Sequence, residues 1–169
     1  MKIRPQTKTP DTTHALALGP LDLKIIQVET TCLLPHPRNA RTHPRKQIRE
    51  LRKSIRKFGF LNPVLTGSDN VIVAGHARVQ AAMEEGLPKI PCVRVDHLSK
   101  DEIRAYMLAD NKHAENAGWD QQLLAQELSD LNLAMPELGF DTIGFSIAEV
   151  DGLIAGLAPV EDGDPEDDR

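Results

Sequence analysis

A chain of 169 residues, 40% hydrophobic and 27% charged, has room for one globular domain with tails. Aromatics make up only 4%, so the core must be aliphatic, and no apolar run approaches the roughly 18 residues that excluding water across a bilayer requires. The net charge of −5 is unevenly spread: Arg38 to Lys57 holds nine cations against one acid, Glu50, whereas after Lys112 the only cation is Arg169, which admits an anionic partner on one face.

Residues 1–22 carry Pro5, Pro10, Gly19 and Pro20 among small polar residues and read as a disordered arm. Their basic start, Met1 to Pro5, lacks the apolar stretch of a signal peptide, so no membrane partner and a cytoplasmic location are expected. Lys24 to Glu29 is a strand candidate. Cys32 and Cys92 form no CxxC pair and imply no disulfide framework. Pro35, Pro37 and Pro44 exclude regular helix between Leu33 and Pro44. Arg45 to Phe58 is a helix with an apolar stripe at Ile48, Leu51, Ile55 and Phe58, closed by Gly59. Asn62 to Thr66 and Val71 to Ala74 are strands joined by the turn Gly67-Ser68-Asp69-Asn70. Gly75 breaks the second strand. A helix follows over Arg78 to Glu85, ended by Gly86, and Ile90 to Val95 is another strand.

Ser99 to Glu102 forms a capping box that opens a helix carrying Ile103, Tyr106, Met107 and Asp110. Asp120 caps the next helix, with Leu123, Leu124, Leu128 and Leu131. Ser146 to Glu149 is a second capping box, opening a short helix through Leu153 and Ile154. Ala158 to Arg169, with six acids and two prolines, reads as an acidic disordered tail. Strand, helix, hairpin, helix, strand and then helices make an α/β (α+β) chain: a small mixed sheet with packed helices and a helical C-terminal part.

The segment Val71-Ile-Val-Ala-Gly75-His-Ala-Arg78 carries the chemistry. A strand runs into a glycine and then a helix start with an arginine. Free amide groups and the positive dipole end at such a start favour an anion. Gly75 lets a phosphate approach the backbone, and Arg78 can grip its oxygens in a two-toothed pair. The plainer alternative is a strand-to-helix turn with a surface arginine.

Three blocks together resemble the N-terminal domain of the ParB family, within the ParB/sulfiredoxin-like fold. They are Leu34-Pro-His-Pro-Arg38-Asn39-Ala-Arg41 with the helix to Gly59 and Pro63; Val73-Ala-Gly75-His-Ala-Arg78-Val-Gln-Ala-Ala82; and Ala109-Asp110-Asn111-Lys-His113. The subgroup most similar is that of phages and mobile elements, often joined to a DNA methyltransferase. The resemblance implies a ParB-like domain over 23–116, a helical extension over 117–157 and a tail over 158–169. It implies a nucleoside triphosphate, CTP or ATP, held with Mg²⁺. Gly75, His76, Ala77 and Arg78 would cradle the phosphates with Arg38, Asn39 and Arg41. Asp110 and Asn111 would stand for the family's Glu-Asn pair as catalytic and metal-binding residues. His76 replaces the glutamate usual in segregation proteins, and Ala114 the arginine that often follows the pair. The activity implied is that of an NTPase, or of a module that binds without hydrolysis, acting with DNA in modification or partition. A methyltransferase partner or fused domain and a homodimer are part of that expectation. Rival readings are a small-molecule phosphotransferase, a DNA-binding adaptor and a ParB-like nuclease.

Other residues weigh less. Sulfiredoxin has a cysteine where His76 stands, which argues against sulfinic acid reduction. A phosphotransferase needs a carboxylate base, for which Glu29 is a weak candidate. His36 and His43 read as loop histidines, since two ligands make no zinc site; His113 reads as a helix-surface residue. Asp110-Asn111 has the alternative of capping a helix end before Gly118. Arg45, Lys46, Arg49, Arg52, Lys53 and Arg56 are DNA-binding candidates against a solvated face. No aromatic lies among them to stack a single strand. Trp119 reads as an anchor of the C-terminal helices to the core, with base stacking as its alternative.

Overall fold

In a computed structural model, residues 21–156 are described. The expected arm before Leu21 and the acidic tail after Gly156 lie outside them. The sheet has four strands: β1 (Ile25–Glu29), β2 (Val64–Thr66), β3 (Ile72–Ala74) and β4 (Lys89–Arg94). Their order is β1-β4-β2-β3. β1 runs antiparallel to β4, with Val28 opposite Ile90, and β2 runs parallel to β4, with Val64 opposite Cys92. β2 and β3 form the expected hairpin; Asn70 takes the left-handed turn position at φ 61°.

Strand alternation loads both faces of this sheet. On one face Val28, Val64, Ile72, Ile90 and Cys92 pack with Val79 and Ala82 of α2 (His76–Glu84). On the other, Leu65 and Val73 pack with Val95, Ile103 and Met107, the last two from α3 (Lys100–Asn116). α1 (Arg45–Phe58) covers the outer side of α2, with Ile48, Leu51 and Ile55 set against Ala77 and Ala81. Small alanines let the two helices approach closely, so the expected stripe of α1 meets a helix rather than the sheet. Phe58, at its end, stays 42% exposed.

α2 begins at His76, two residues earlier than the sequence suggests. Gly75, at φ 103° and ψ 23°, reverses the chain sharply enough for helix to start at once. Both capping boxes form: Ser99 with Glu102 opens α3, and Ser146 with Glu149 opens α5 (Ile147–Ala155). Asp120 accepts the Leu123 amide at 3.1 Å and caps α4 (Gln121–Ala134). Ala125, Leu128 and Val150 bury the seam of α4 and α5. Trp119 corrects an expectation. It is 67% exposed and meets the Phe145 ring at 6.0 Å, so it joins two surface segments and anchors nothing to the core.

Candidate functional site

The turn from β3 into α2 holds the residues of the candidate anion cradle. The first intrahelical bond of α2 runs from the Val79 amide to the Gly75 carbonyl at 3.0 Å. The amides of His76, Ala77 and Arg78 precede it and have no acceptor of that kind, as at every helix start. Arg78 folds back over Gly75. A Cβ placed on Gly75 would sit 3.0 Å from Arg78 Nη2, 3.2 Å from Arg78 Nε and 3.2 Å from Val64 Cγ2. Arg78 Nη1 donates to the Asn62 carbonyl at 3.1 Å, which fixes the guanidinium there. Burial lowers the Arg78 pKa, and the charge of Asp110 pulls it back up. The residues present therefore fit a phosphate: a glycine with no side chain to spare, free amides, and a half-buried guanidinium with donors left over.

The side chains of His76 and Ala77 are both engaged by the fold, which leaves their amides for a ligand. The Ala77 side chain is buried against α1, so only its amide can face a ligand. His76 Nε2 accepts the His36 amide at 3.2 Å. This bond requires Nε2 unprotonated, and burial, with His43 and His36 nearby, pushes the His76 pKa down to about 4. The folded chain thus resists protonation that the unfolded chain accepts near 6.5. The unfolded state binds the extra proton, so the contribution is intact above about 6.5 and is lost as pH falls toward about 4. Thermal melts over that window should show His76→Gln, whose amide oxygen keeps the acceptor, with a flatter pH dependence than the parent. Equal slopes would assign the acid sensitivity to other groups.

The 36–41 loop is tied at both ends. His36 meets α2 through His76, and Arg41 forms an ion pair with Glu115 of α3. Asn39 spends its side chain inside the loop: Oδ1 accepts the Arg41 amide at 3.1 Å and Nδ2 donates to the Arg41 carbonyl at 3.3 Å. Arg38 stands between them, exposed, its guanidinium without a partner among the described residues. Of the three loop residues expected to meet phosphate, Arg38 alone has its side chain free. It borders a cleft of about 830 Å³ between this loop and α3, floored by Met107, Leu108 and Asn111.

α3 runs on to Asn116, so Asp110 and Asn111 lie inside a helix and cap no terminus. Neighbouring helix residues point about 100° apart. Asn111 lines the cleft beside Arg38; its Nδ2 donates to the Met107 carbonyl at 2.7 Å, leaving Oδ1 as the free end. Asp110 is exposed and makes no hydrogen bond or ion pair with Arg78 or Tyr106 among the described residues, but its charge is felt at both: burial first, then Asp110, raises the Tyr106 pKa. Among the described residues, no three His, Cys, Asp or Glu side chains are grouped to hold a metal. Mg²⁺ bound with phosphates takes only one or two protein oxygens, and the Asp110 carboxylate fits that smaller demand. Glu29 ends β1 opposite Lys89 at the far edge of the sheet, and His113 is exposed on α3.

The basic helix looks different in space than in sequence. Arg45 and Arg52 pair with Glu84, and Arg52 and Arg56 pair with Glu85, at the end of α2. Lys46 meets Glu50 at 3.7 Å, and Lys53 pairs with Asp141. Lys57 lies 4.0 Å from Glu137. These bonds hold Glu85 below the usual carboxylate range, through Arg56 and then Arg52. The surplus of charge along residues 38–57 is thus largely answered by acids distant in sequence. Of the six DNA-binding candidates, Arg49 alone lacks an acid partner among the described residues.

The family profile of the ParB N-terminal domain matches residues 21–112. The ParB-like nuclease domain-containing protein YnaK of Escherichia coli K12 is 38% identical over 80 residues, 47% of this chain and 92% of YnaK. The probable chromosome-partitioning protein ParB of Treponema pallidum is 35% identical over 120 residues, 66% of this chain but 36% of that protein. The chain thus spans most of YnaK and about a third of the partitioning protein. Among solved structures, C-terminally truncated ParB from Caulobacter crescentus, complexed with CTP-gamma-S, aligns with a TM-score of 0.64 at 23% identity, over 78% of this chain and 77% of that one. At that identity the likeness establishes the ParB N-domain fold. Among the described residues no helix is long and apolar enough to cross a membrane.

Proposed function

The chain belongs to the ParB N-terminal domain family, and from that premise we propose that it is a nucleotide-binding module acting with DNA. The observation that carries this reading is Arg78 folded over a left-handed Gly75 at the start of α2. Caulobacter ParB, of the same fold, is complexed with CTP-gamma-S, which favours CTP as the nucleotide to test first. The triphosphate would lie on the His76, Ala77 and Arg78 amides, clasped by Arg78 and approached by Arg38 from the loop. Bound Mg²⁺ would supply charge neutralisation to the phosphates, and Asp110 is the residue to hold it. Asn111 faces the cleft and would meet the ligand there through Oδ1.

DNA is the second partner in this reading, since relatives are named as chromosome-partitioning proteins. Partition or DNA modification is the setting we propose, with a methyltransferase partner and pairing of two copies as its extensions. Hydrolysis of the nucleotide is a further part of the proposal. It would need a water aligned beside the Asp110-held metal.

The test is calorimetry with CTP, ATP, ADP and GTP, each with and without Mg²⁺. One nucleotide should bind well above the rest. Asp110→Ala should remove the gain that Mg²⁺ brings and leave metal-free binding largely intact. If no nucleotide binds the folded protein, the reading fails; if Mg²⁺ helps the variant as much as the parent, Asp110 is not the metal's residue.

A further inference from the structure

Folding brings to α1 what its sequence lacks. A second cleft, of about 510 Å³, runs between α1 and residues 139–147, remote in sequence from the Gly75 cradle and lined by none of its residues. Lys46, Arg49 and Lys53 stand on one side of it, at i, i+3 and i+7 of the helix. Phe140 and Phe145 stand on the other. Trp119 extends the aromatic wall outward, 67% exposed and tilted 57° against Phe145.

We propose that this groove binds single-stranded nucleic acid, with a backbone phosphate on Arg49 and an unpaired base on the Trp119–Phe145 rings. Lys46 and Lys53 are answered by Glu50 and Asp141, but no acid answers Arg49 among the described residues. The groove therefore offers one open cationic position beside an exposed aromatic surface. An acidic peptide would use the cation and leave the indole face uncovered. A duplex would offer phosphates but keep its bases stacked inside. A single strand presents both a charge and a flat ring within one nucleotide, which matches the pair on offer. The inference does not rest on nucleotide binding at Gly75 and can stand or fall alone.

Trp119 is the only tryptophan of the chain, so its emission reports on the ring pair it forms with Phe145 at the end of this groove. A short oligothymidylate at low salt should quench it, and the same oligonucleotide as a duplex should quench it much less. Arg49→Glu should raise Kd about tenfold or more and flatten the log–log salt slope by about 0.7, the loss of one single-strand phosphate contact. Trp119→Ala, followed by anisotropy of a labelled oligonucleotide, should raise Kd about 5- to 150-fold with the salt slope unchanged. Both side chains are exposed, so neither change threatens the fold. Absence of quenching, or affinity untouched in both variants, would overturn the proposal. Equal quenching by polyglutamate would overturn it too, in favour of an acidic protein partner.

Discussion

Alanine at Gly75 should destabilise the protein and abolish nucleotide binding together. The backbone there sits at φ 103°, which L side chains rarely adopt. Holding a non-glycine residue so costs about 1–3 kcal/mol before any contact is counted. The new methyl would also press on two neighbours at once. Val64 Cγ2, at 3.2 Å, belongs to a fully buried strand residue and has nowhere to retreat. The Arg78 guanidinium, at 3.0–3.2 Å, can swing away only by giving up the Asn62 carbonyl. Relief of the clash therefore dismantles the phosphate grip. Urea unfolding and calorimetry on one preparation test this. A variant as stable as the parent that still binds nucleotide would show that the cradle does not depend on this turn.

Arg78→Ala separates binding from folding. Loss of a charged, forked contact to phosphate should weaken nucleotide binding by about 1.5–3 kcal/mol, roughly 10- to 150-fold in Kd. The fold should lose only about 1 kcal/mol, the usual worth of one hydrogen bond, here that to Asn62. Lysine at this position should recover part of the affinity, since it restores charge without the planar fork. Unchanged affinity in a folded alanine variant would remove Arg78 from the site.

Much of this was legible in the sequence, for local reasons. Both capping boxes, the Gly67–Asn70 turn and the Gly75 break depend on residues within a few positions of one another, and each formed where its pattern lies. The division of labour around the cradle was not legible. Ala77 turns its methyl to α1 while His76 meets the 36–41 loop, and no motif encodes that. Asn39 and Arg41 resemble ligand residues, but one is spent on its own loop and the other on Glu115. The strongest misdirection came from charge. Counting along residues 38–57 gives a basic helix, yet Glu84 and Glu85 lie about thirty residues away in sequence and beside it in space. The same long-range closure brought Phe140 and Phe145 to that helix.

The pairs linking α1 to Glu137 and Asp141 bear on how the protein should be trimmed for study. Both acids lie beyond residue 112, where the family match stops. A piece cut after Asn116 would strip Lys53 and Lys57 of their intramolecular counterions. It would then take up phosphates by releasing salt, with no regard to sequence. Gel shifts on such a piece would report an affinity that the longer chain withholds. Glu137 and Asp141 offset two lysines of α1 from outside the matched segment, so the charge of α1 in a shortened piece is not its charge in the longer chain.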